Sequence, residues 1–199
     1  MCSKTGRILH AEIVSGEWSV MFDLLIKVIW LLLPAYTPNN FAVILGGLKP
    51  IDFGKNFIDG RRILGDGKTI SGFFGGILGG ILVANIQRVT EPQIGIKLFS
   101  SLQYSEFLCL ILAFTFGSMV GDSLGSFFKR RLGFERGSSL PIVDQLTFLL
   151  FAMAFASLTG AFWEFFGILE IAIAIVITPV LHILINLLAY KMKLKEVPW

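Results

Sequence analysis

Apolar residues gather along this chain in five runs, near residues 18–36, 70–86, 107–120, 146–163 and 168–190, with most of the charge confined to the stretches between them. Such runs approach the roughly 20 residues an α-helix needs to cross a hydrocarbon core about 30 Å thick. The pattern predicts an all-α, polytopic membrane protein with five transmembrane helices. Trp18 and Tyr36 end the first run, where amphipathic aromatic rings suit the two membrane interfaces. Pro34 and Pro38 close it, and a long loop is expected over residues 37–69. A tight turn at residues 164–167 separates the last two runs.

Within the runs, small residues recur at helical spacing. Gly72, Gly76 and Gly80 stand four apart in the second, with Gly75 and Gly79 as another pair, and Gly117, Gly121 and Gly125 continue through the third. Glycines so spaced let helix backbones approach closely in a bilayer, so the second and third helices are expected to pack on each other. Two polar pairs interrupt the apolar pattern. Asp23 and Lys27, four residues apart, suit either an ion pair near the outer interface or a cavity-facing role. His182 and Asn186, just beyond a helix kink expected at Pro179, suit either a packed hydrogen-bonded pair or a cavity lining.

Composition agrees with membrane residence: 54% of residues are hydrophobic and 16% charged, against about 25% charged in soluble domains, and the mean hydropathy is +0.75. The length leaves little room for a soluble domain, so residues 1–199 read as one membrane-embedded domain. Cys2 and Cys109 offer neither a disulfide framework nor metal-ligand spacing. Residues 1–18 lack the apolar core and cleavage site of a signal peptide, so the first span is expected to be retained.

Charge then orients the bundle. Lys49, Lys55, Arg61, Arg62 and Lys68 follow the first run, Lys129, Arg130, Arg131 and Arg136 follow the third, and Lys191, Lys193 and Lys195 follow the fifth, together 12 of the 17 Lys and Arg residues. Residues 87–106 carry no positive excess. Cations mark cytoplasmic loops, which puts the N-terminus outside, the C-terminus in the cytoplasm and both charged loops on the cytoplasmic face of the cell membrane.

Those loops hold the candidate chemistry. The first also carries Asp52, Asp59 and Asp66 and six glycines from Gly46 to Gly67; loops this long without secondary structure of their own are usually functional or disordered, and this mixture favours function. Gly67-Lys68-Thr69 looks like the end of a Walker-type phosphate loop, but Arg62 stands where that pattern needs glycine. A helix starting near Asp122 places Asp122, Ser126 and Lys129 on one face. Asp122 and Asp144 would meet if the segment between them folds back on the membrane surface, and hard carboxylate oxygens suit Mg²⁺. Lys129, Arg130, Arg131 and Arg136 suit an oligophosphate, although the first three also suit anchorage to anionic headgroups. Acids, cations and phosphate describe phosphoryl or nucleotidyl transfer; no His or Cys cluster suggests zinc.

The segment Gly121-Asp122-Ser123-Leu124-Gly125-Ser126-Phe127-Phe128-Lys129-Arg130 resembles the core signature of the CTP:phosphatidate cytidylyltransferases, and Pro141-Ile142-Val143-Asp144-Gln145 resembles a shortened second half of it. Pro50-Ile51-Asp52-Phe53-Gly54, followed by Asp59-Gly60-Arg61-Arg62-Ile63-Leu64-Gly65-Asp66-Gly67-Lys68-Thr69, resembles the archaeal branch, the CDP-archaeol synthases. The resemblance implies a Mg²⁺-dependent reaction joining CTP to 2,3-bis-O-geranylgeranylglyceryl phosphate, with pyrophosphate released. It implies Asp122 and Asp144 as metal ligands, Ser126 and Lys129 beside the reacting phosphates, and Asp52, Arg61, Arg62, Asp66, Lys68, Thr69, Arg130 and Arg136 in substrate binding. The bacterial and eukaryotic pattern has a His-Gly-Gly segment and further spans that this chain lacks. The expected partners are CTP, the isoprenoid ether phosphate and the bilayer, not nucleic acid. A homo-oligomer remains an open alternative, as do phosphatidic acid as acceptor, a lipid phosphatase, and a small transporter.

Overall fold

The computed structural model describes residues 4–134, 138 and 140–192. Its main helices are α1 (Lys4–Leu45), α2 (Ile70–Thr90), α3 (Tyr104–Arg131), α4 (Pro141–Ala156), the short α5 (Gly160–Phe165) and α6 (Ile168–Lys191). Two single 3₁₀ turns, Glu91–Gln93 and Phe99–Ser101, join α2 to α3. Among the described residues, Met21–Leu45, Ile70–Gln93 and Tyr104–Arg131 are long and apolar enough to cross a membrane, and Asp144–Ala156 and Ile168–Leu184 are shorter apolar segments.

Contrary to the sequence expectation, α1 does not end at its prolines. Pro34 has no N–H for the carbonyl of Trp30, four residues earlier, and would leave it bare. The Gln87 side-chain amide of α2 donates to that carbonyl at 2.8 Å, so a neighbouring helix supplies the missing bond. The loop therefore begins at Gly46, nine residues later than the apolar pattern suggests. Of the two roles open to Asp23 and Lys27, the mutual ion pair gives way: Lys27 pairs at 2.8 Å with Glu170 of α6.

The glycines pack α2 against α3 as expected and also reach partners that the spacing did not indicate. Gly72, Gly76 and Gly80 of α2 lie under the backbone oxygens of Ala42, Pro38 and Pro34 of α1, and Gly76 and Gly80 also meet Met119 and Thr115 of α3. Gly117 and Gly121 of α3 face α4, at Phe151, Ala152, Thr147 and Phe148. One glycine face closes α2 onto α1 and α3, and the other closes α3 onto α4.

These contacts run antiparallel for α1 with α2, α2 with α3 and α3 with α4. The pairs Lys27–Glu170 and Tyr36–Thr178 set α6 parallel to α1. The carboxyl ends of α1 and α3 and the amino ends of α2 and α4 thus share one end of the bundle. The core between the ends contains Leu31 and Leu32 of α1, Phe107 and Phe114 of α3, Leu149 of α4, and Phe162 and Phe166, whose rings stack at 4.7 Å. At the opposite end Glu91 is fully buried, accepting from Trp30 Nε1 at 2.9 Å and from the backbone N–H groups of Leu98, Phe99 and Ser100. Arg88 donates to the carbonyls of Phe99 and Leu102 beside it.

Candidate active site

The first charged loop, residues 46–69, is built around Asp52. Its side chain is wholly shielded from solvent and accepts from Arg62 at 2.8 Å and from the N–H groups of Gly54, Leu64 and Gly65 at 3.1, 3.0 and 2.9 Å. Gly54 (φ +81°) and Gly65 (φ +93°) present those N–H groups from the left-handed region, which glycine enters without the Cβ penalty. Burial works against the charge on Asp52, yet the hydrogen bonds from Arg62, Gly65, Leu64 and Gly54 hold its carboxyl well below the usual carboxylate range. Asp52 therefore shapes the loop and presents no free oxygen to a ligand. Isolated bridges between Pro50 and Thr69 and between Asn56 and Arg62 close the loop on itself.

This loop lies over the end of α3. Arg61 Nη1 donates to the carbonyls of Arg131 and Arg130 at 2.6 and 3.3 Å, satisfying groups that a helix end leaves without partners. Arg131 answers by donating to the Arg62 carbonyl, and its guanidinium lies 4.8 Å from the ring centres of both Phe57 and Phe127. Asp59 stands 3.2 Å from Arg131 Nη1. Phe57, Asp59 and Phe127 are absent from the candidate site residues, although Asp59 and Phe127 fall within the family-resembling segments and each charged segment carries an aromatic residue.

Five of the other expected residues, together with Arg62, fall into ion pairs. Lys68 bonds Asp122, Lys129 bonds Asp144 at 2.5 Å, and Arg62 bonds Asp66 at 2.8 Å as well as Asp52. Asp122 and Asp144 therefore each face a lysine from another element and do not engage one another. Asp122 also lies inside α3, which has begun at Tyr104, so no new helix starts there. Ser126 donates to the Asp122 carbonyl at 3.2 Å, Thr69 caps α2 by accepting from Gly72 N–H at 3.1 Å, and Arg130 donates to the Phe134 carbonyl at 2.5 Å. Arg136 and the side chain of Asn186 lie outside the described residues, as do Lys193 and Lys195.

The loop, α2 and α3 also enclose a cavity of about 510 Å³, lined by residues that include Ile63, Leu64, Phe73, Val120, Ser123 and Leu124. Ser123 turns its hydroxyl away to the Met119 carbonyl at 2.8 Å, so the wall is apolar in effect. The lining residue Ser123 follows Asp122 in sequence, so the apolar hollow and the Lys68–Asp122 pair are built from the same loop and helix.

A magnesium ion fits this donor set. Asp122 and Asp144 bring hard oxygens on side chains each 26% exposed. Among the described residues no group of three or more His, Cys, Asp or Glu comes together, so a cation would depend on one or two carboxylates and on its ligand's oxygens, as Mg²⁺ commonly does.

Known proteins resemble the chain throughout this region. A family model described as CarS-like, CDP-archaeol synthase, matches residues 21–199. The CDP-archaeol synthase of Archaeoglobus fulgidus is 58% identical over 179 residues, spanning 90% of this chain and all of that protein. The enzyme of the same name from Methanospirillum hungatei is 44% identical over 170 residues, spanning 84% and 100%. A solved structure described as an intramembrane enzyme for archaeal membrane lipids biosynthesis superposes with a TM-score of 0.66 at 32% identity, covering 81% of this chain and 94% of that one.

Proposed function

This chain belongs to the CDP-archaeol synthase family, and we propose that it joins CTP to 2,3-bis-O-geranylgeranylglyceryl phosphate, forming CDP-archaeol with unsaturated chains and pyrophosphate. The observation that carries the proposal is an apolar cavity walled by the same loop and helix that carry the Lys68–Asp122 pair. The cavity offers a greasy hollow to isoprenoid chains and the ion pairs of the same loop and helix offer charge to phosphates, which is the division of surface that a lipid phosphate acceptor and a nucleotide donor require.

The lipid phosphate approaches laterally, chains in the cavity and phosphate toward the ion pairs, while CTP arrives from solution onto the loops. A lipid phosphate oxygen bonds the α-phosphorus, the bond from that phosphorus to the β-phosphate oxygen breaks, and pyrophosphate departs with the electron pair. A phosphate monoester, whose second pKa is about 6, is already ionised at neutral pH, so the nucleophile needs no general base. Catalysis then consists of positioning and charge neutralisation. Lys68, Lys129 and Arg62 supply positive charge, Ser126 stands between Asp122 and Lys129 along α3, and Asp122 and Asp144 would hold Mg²⁺. When bound, Mg²⁺ would neutralise the triphosphate oxygens and orient them.

Five passes are proposed, with α4 and α6 as the fourth and fifth, the N-terminus outside and the reaction on the cytoplasmic face. The clustering of both charged loops at one end of the bundle supports this orientation. Purified protein is expected to release pyrophosphate from CTP only when Mg²⁺ and the ether lipid phosphate are both present. Pyrophosphate release without lipid, or inorganic phosphate release without CTP, would overturn the proposal.

A further inference from the structure

Both carboxylates assigned to the metal are already occupied by lysines, and both lysines assigned to phosphates are already occupied by carboxylates. Lys68 comes from the loop to Asp122 on α3, and Lys129 of α3 crosses to Asp144 on α4. The Asp144 carboxylate is further engaged by Leu140 N–H at 2.9 Å. These four side chains are between 16 and 26% exposed, so the pairs are partly shielded and interact more strongly than surface pairs.

Resting on the functional reading above, we propose that Lys68 and Lys129 are exchangeable counter-ions: they neutralise Asp122 and Asp144 until the metal–nucleotide arrives and then turn to the triphosphate. A divalent cation alone must approach a carboxylate against a neighbouring ammonium. A triphosphate alone must approach an ammonium against a neighbouring carboxylate. Either ligand by itself strands one like-charged neighbour, whereas both together give each carboxylate and each ammonium a new partner of opposite charge. The protein therefore couples metal and nucleotide binding beyond their association in solution, and it resists filling by either alone. Lys68 and Lys129 act as positioning residues that set this coupling.

The prediction inverts what loss of a merely structural contact would do. Titrated with Mn²⁺ in the absence of nucleotide and followed by the electron paramagnetic resonance of the free ion, Lys68→Met is expected to bind Mn²⁺ at least about fivefold more tightly than the parent protein, the lower end of ordinary coupling between sites. Lys129→Met is expected to shift the same way. Lys55→Met, which removes an exposed charge from the same loop, is expected to leave Mn²⁺ affinity unchanged, separating local pairing from net charge. Conversely, with chelator present, Asp122→Asn is expected to bind CTP more tightly, because Lys68 is released. Unchanged or weakened Mn²⁺ binding in Lys68→Met, while Asp122→Asn still abolishes that binding, would overturn the exchange and leave the metal assignment standing. Mn²⁺ binding indifferent to Asp122→Asn would overturn both.

Discussion

Replacing Gly121 with alanine places a Cβ where α4 leaves no room. That atom would stand 2.7 Å from Phe148 Cα and 2.9 Å from Phe151 Cβ, and closer still to the Thr147 carbonyl oxygen, whereas real Cβ atoms keep beyond 3.0 Å. Two of the three obstacles belong to the α4 backbone, so rotation of a side chain cannot relieve them and α3 and α4 must separate. Overpacking of this kind costs about 1–3 kcal/mol, and backbone obstruction puts this site toward the top of that range. The better helix propensity of alanine returns up to about 1 kcal/mol, leaving a net loss of about 2 kcal/mol. At 2–4 °C per kcal/mol for a chain of this size, thermal unfolding in detergent should fall by about 4–8 °C. Because the same helix seam carries Lys129 and Asp144, CTP turnover should fall with it. Gly160→Ala is the matched control: a Cβ there meets nothing within 4 Å, and the melting temperature should hold. A Gly121→Ala protein melting within a degree of the parent would refute the α3–α4 packing described here.

Two further substitutions address the helix that runs through its prolines and the loop that crowns the site. Gln87→Leu should destabilise the protein by about 1 kcal/mol by leaving the Trp30 carbonyl bare, and adding Pro34→Ala should recover most of that loss by restoring a backbone N–H; additive melting shifts in the double variant would exclude the link. Asp52→Asn should loosen the first loop at neutral pH, seen as faster hydrogen exchange at Gly54, Leu64 and Gly65. A carboxyl held below its ordinary value stabilises the fold above the ordinary carboxylate range and loses that contribution as pH falls toward the lowered value, so the difference between Asp52→Asn and the parent should shrink only on acidification below about pH 4. An exchange difference constant from pH 7 to pH 3 would contradict the charge-based role.

Apolar runs and glycine spacing were enough to locate α2 and α3, because both signals are local to the helix that bears them. The α2–α3 contact was legible, but the approach of α2 to α1 and of α3 to α4 was not, since spacing says that a backbone approaches closely and not whose backbone it is. The end of α1 was misplaced for a similar reason: Pro34 reads as a stop until Gln87, far along the chain, supplies the bond it lacks. Charges four residues apart suggested Asp23 as the partner of Lys27, but an acid from α6 lies closer in space. In the site itself, Asp122, Lys129, Lys68 and Asp144 were legible as residue types, and their division into two lysine–carboxylate pairs was not. Nothing in the sequence singles out Glu91, because the N–H groups that let a carboxylate sit fully buried come from a turn whose geometry no spacing rule encodes.

The fate of the phosphorus atoms of CTP decides whether this chain is a cytidylyltransferase. Purified protein, Mg²⁺ and the geranylgeranyl ether phosphate should be supplied with CTP labelled at the α- or the γ-phosphorus, and the products separated into organic and aqueous phases. The α label should move into the lipid in step with pyrophosphate formation, the γ label should remain in aqueous pyrophosphate, and Asp122→Asn should abolish both. An α label that stays in the aqueous phase while CTP is consumed, or a γ label that enters the lipid, would contradict transfer of CMP to the lipid phosphate.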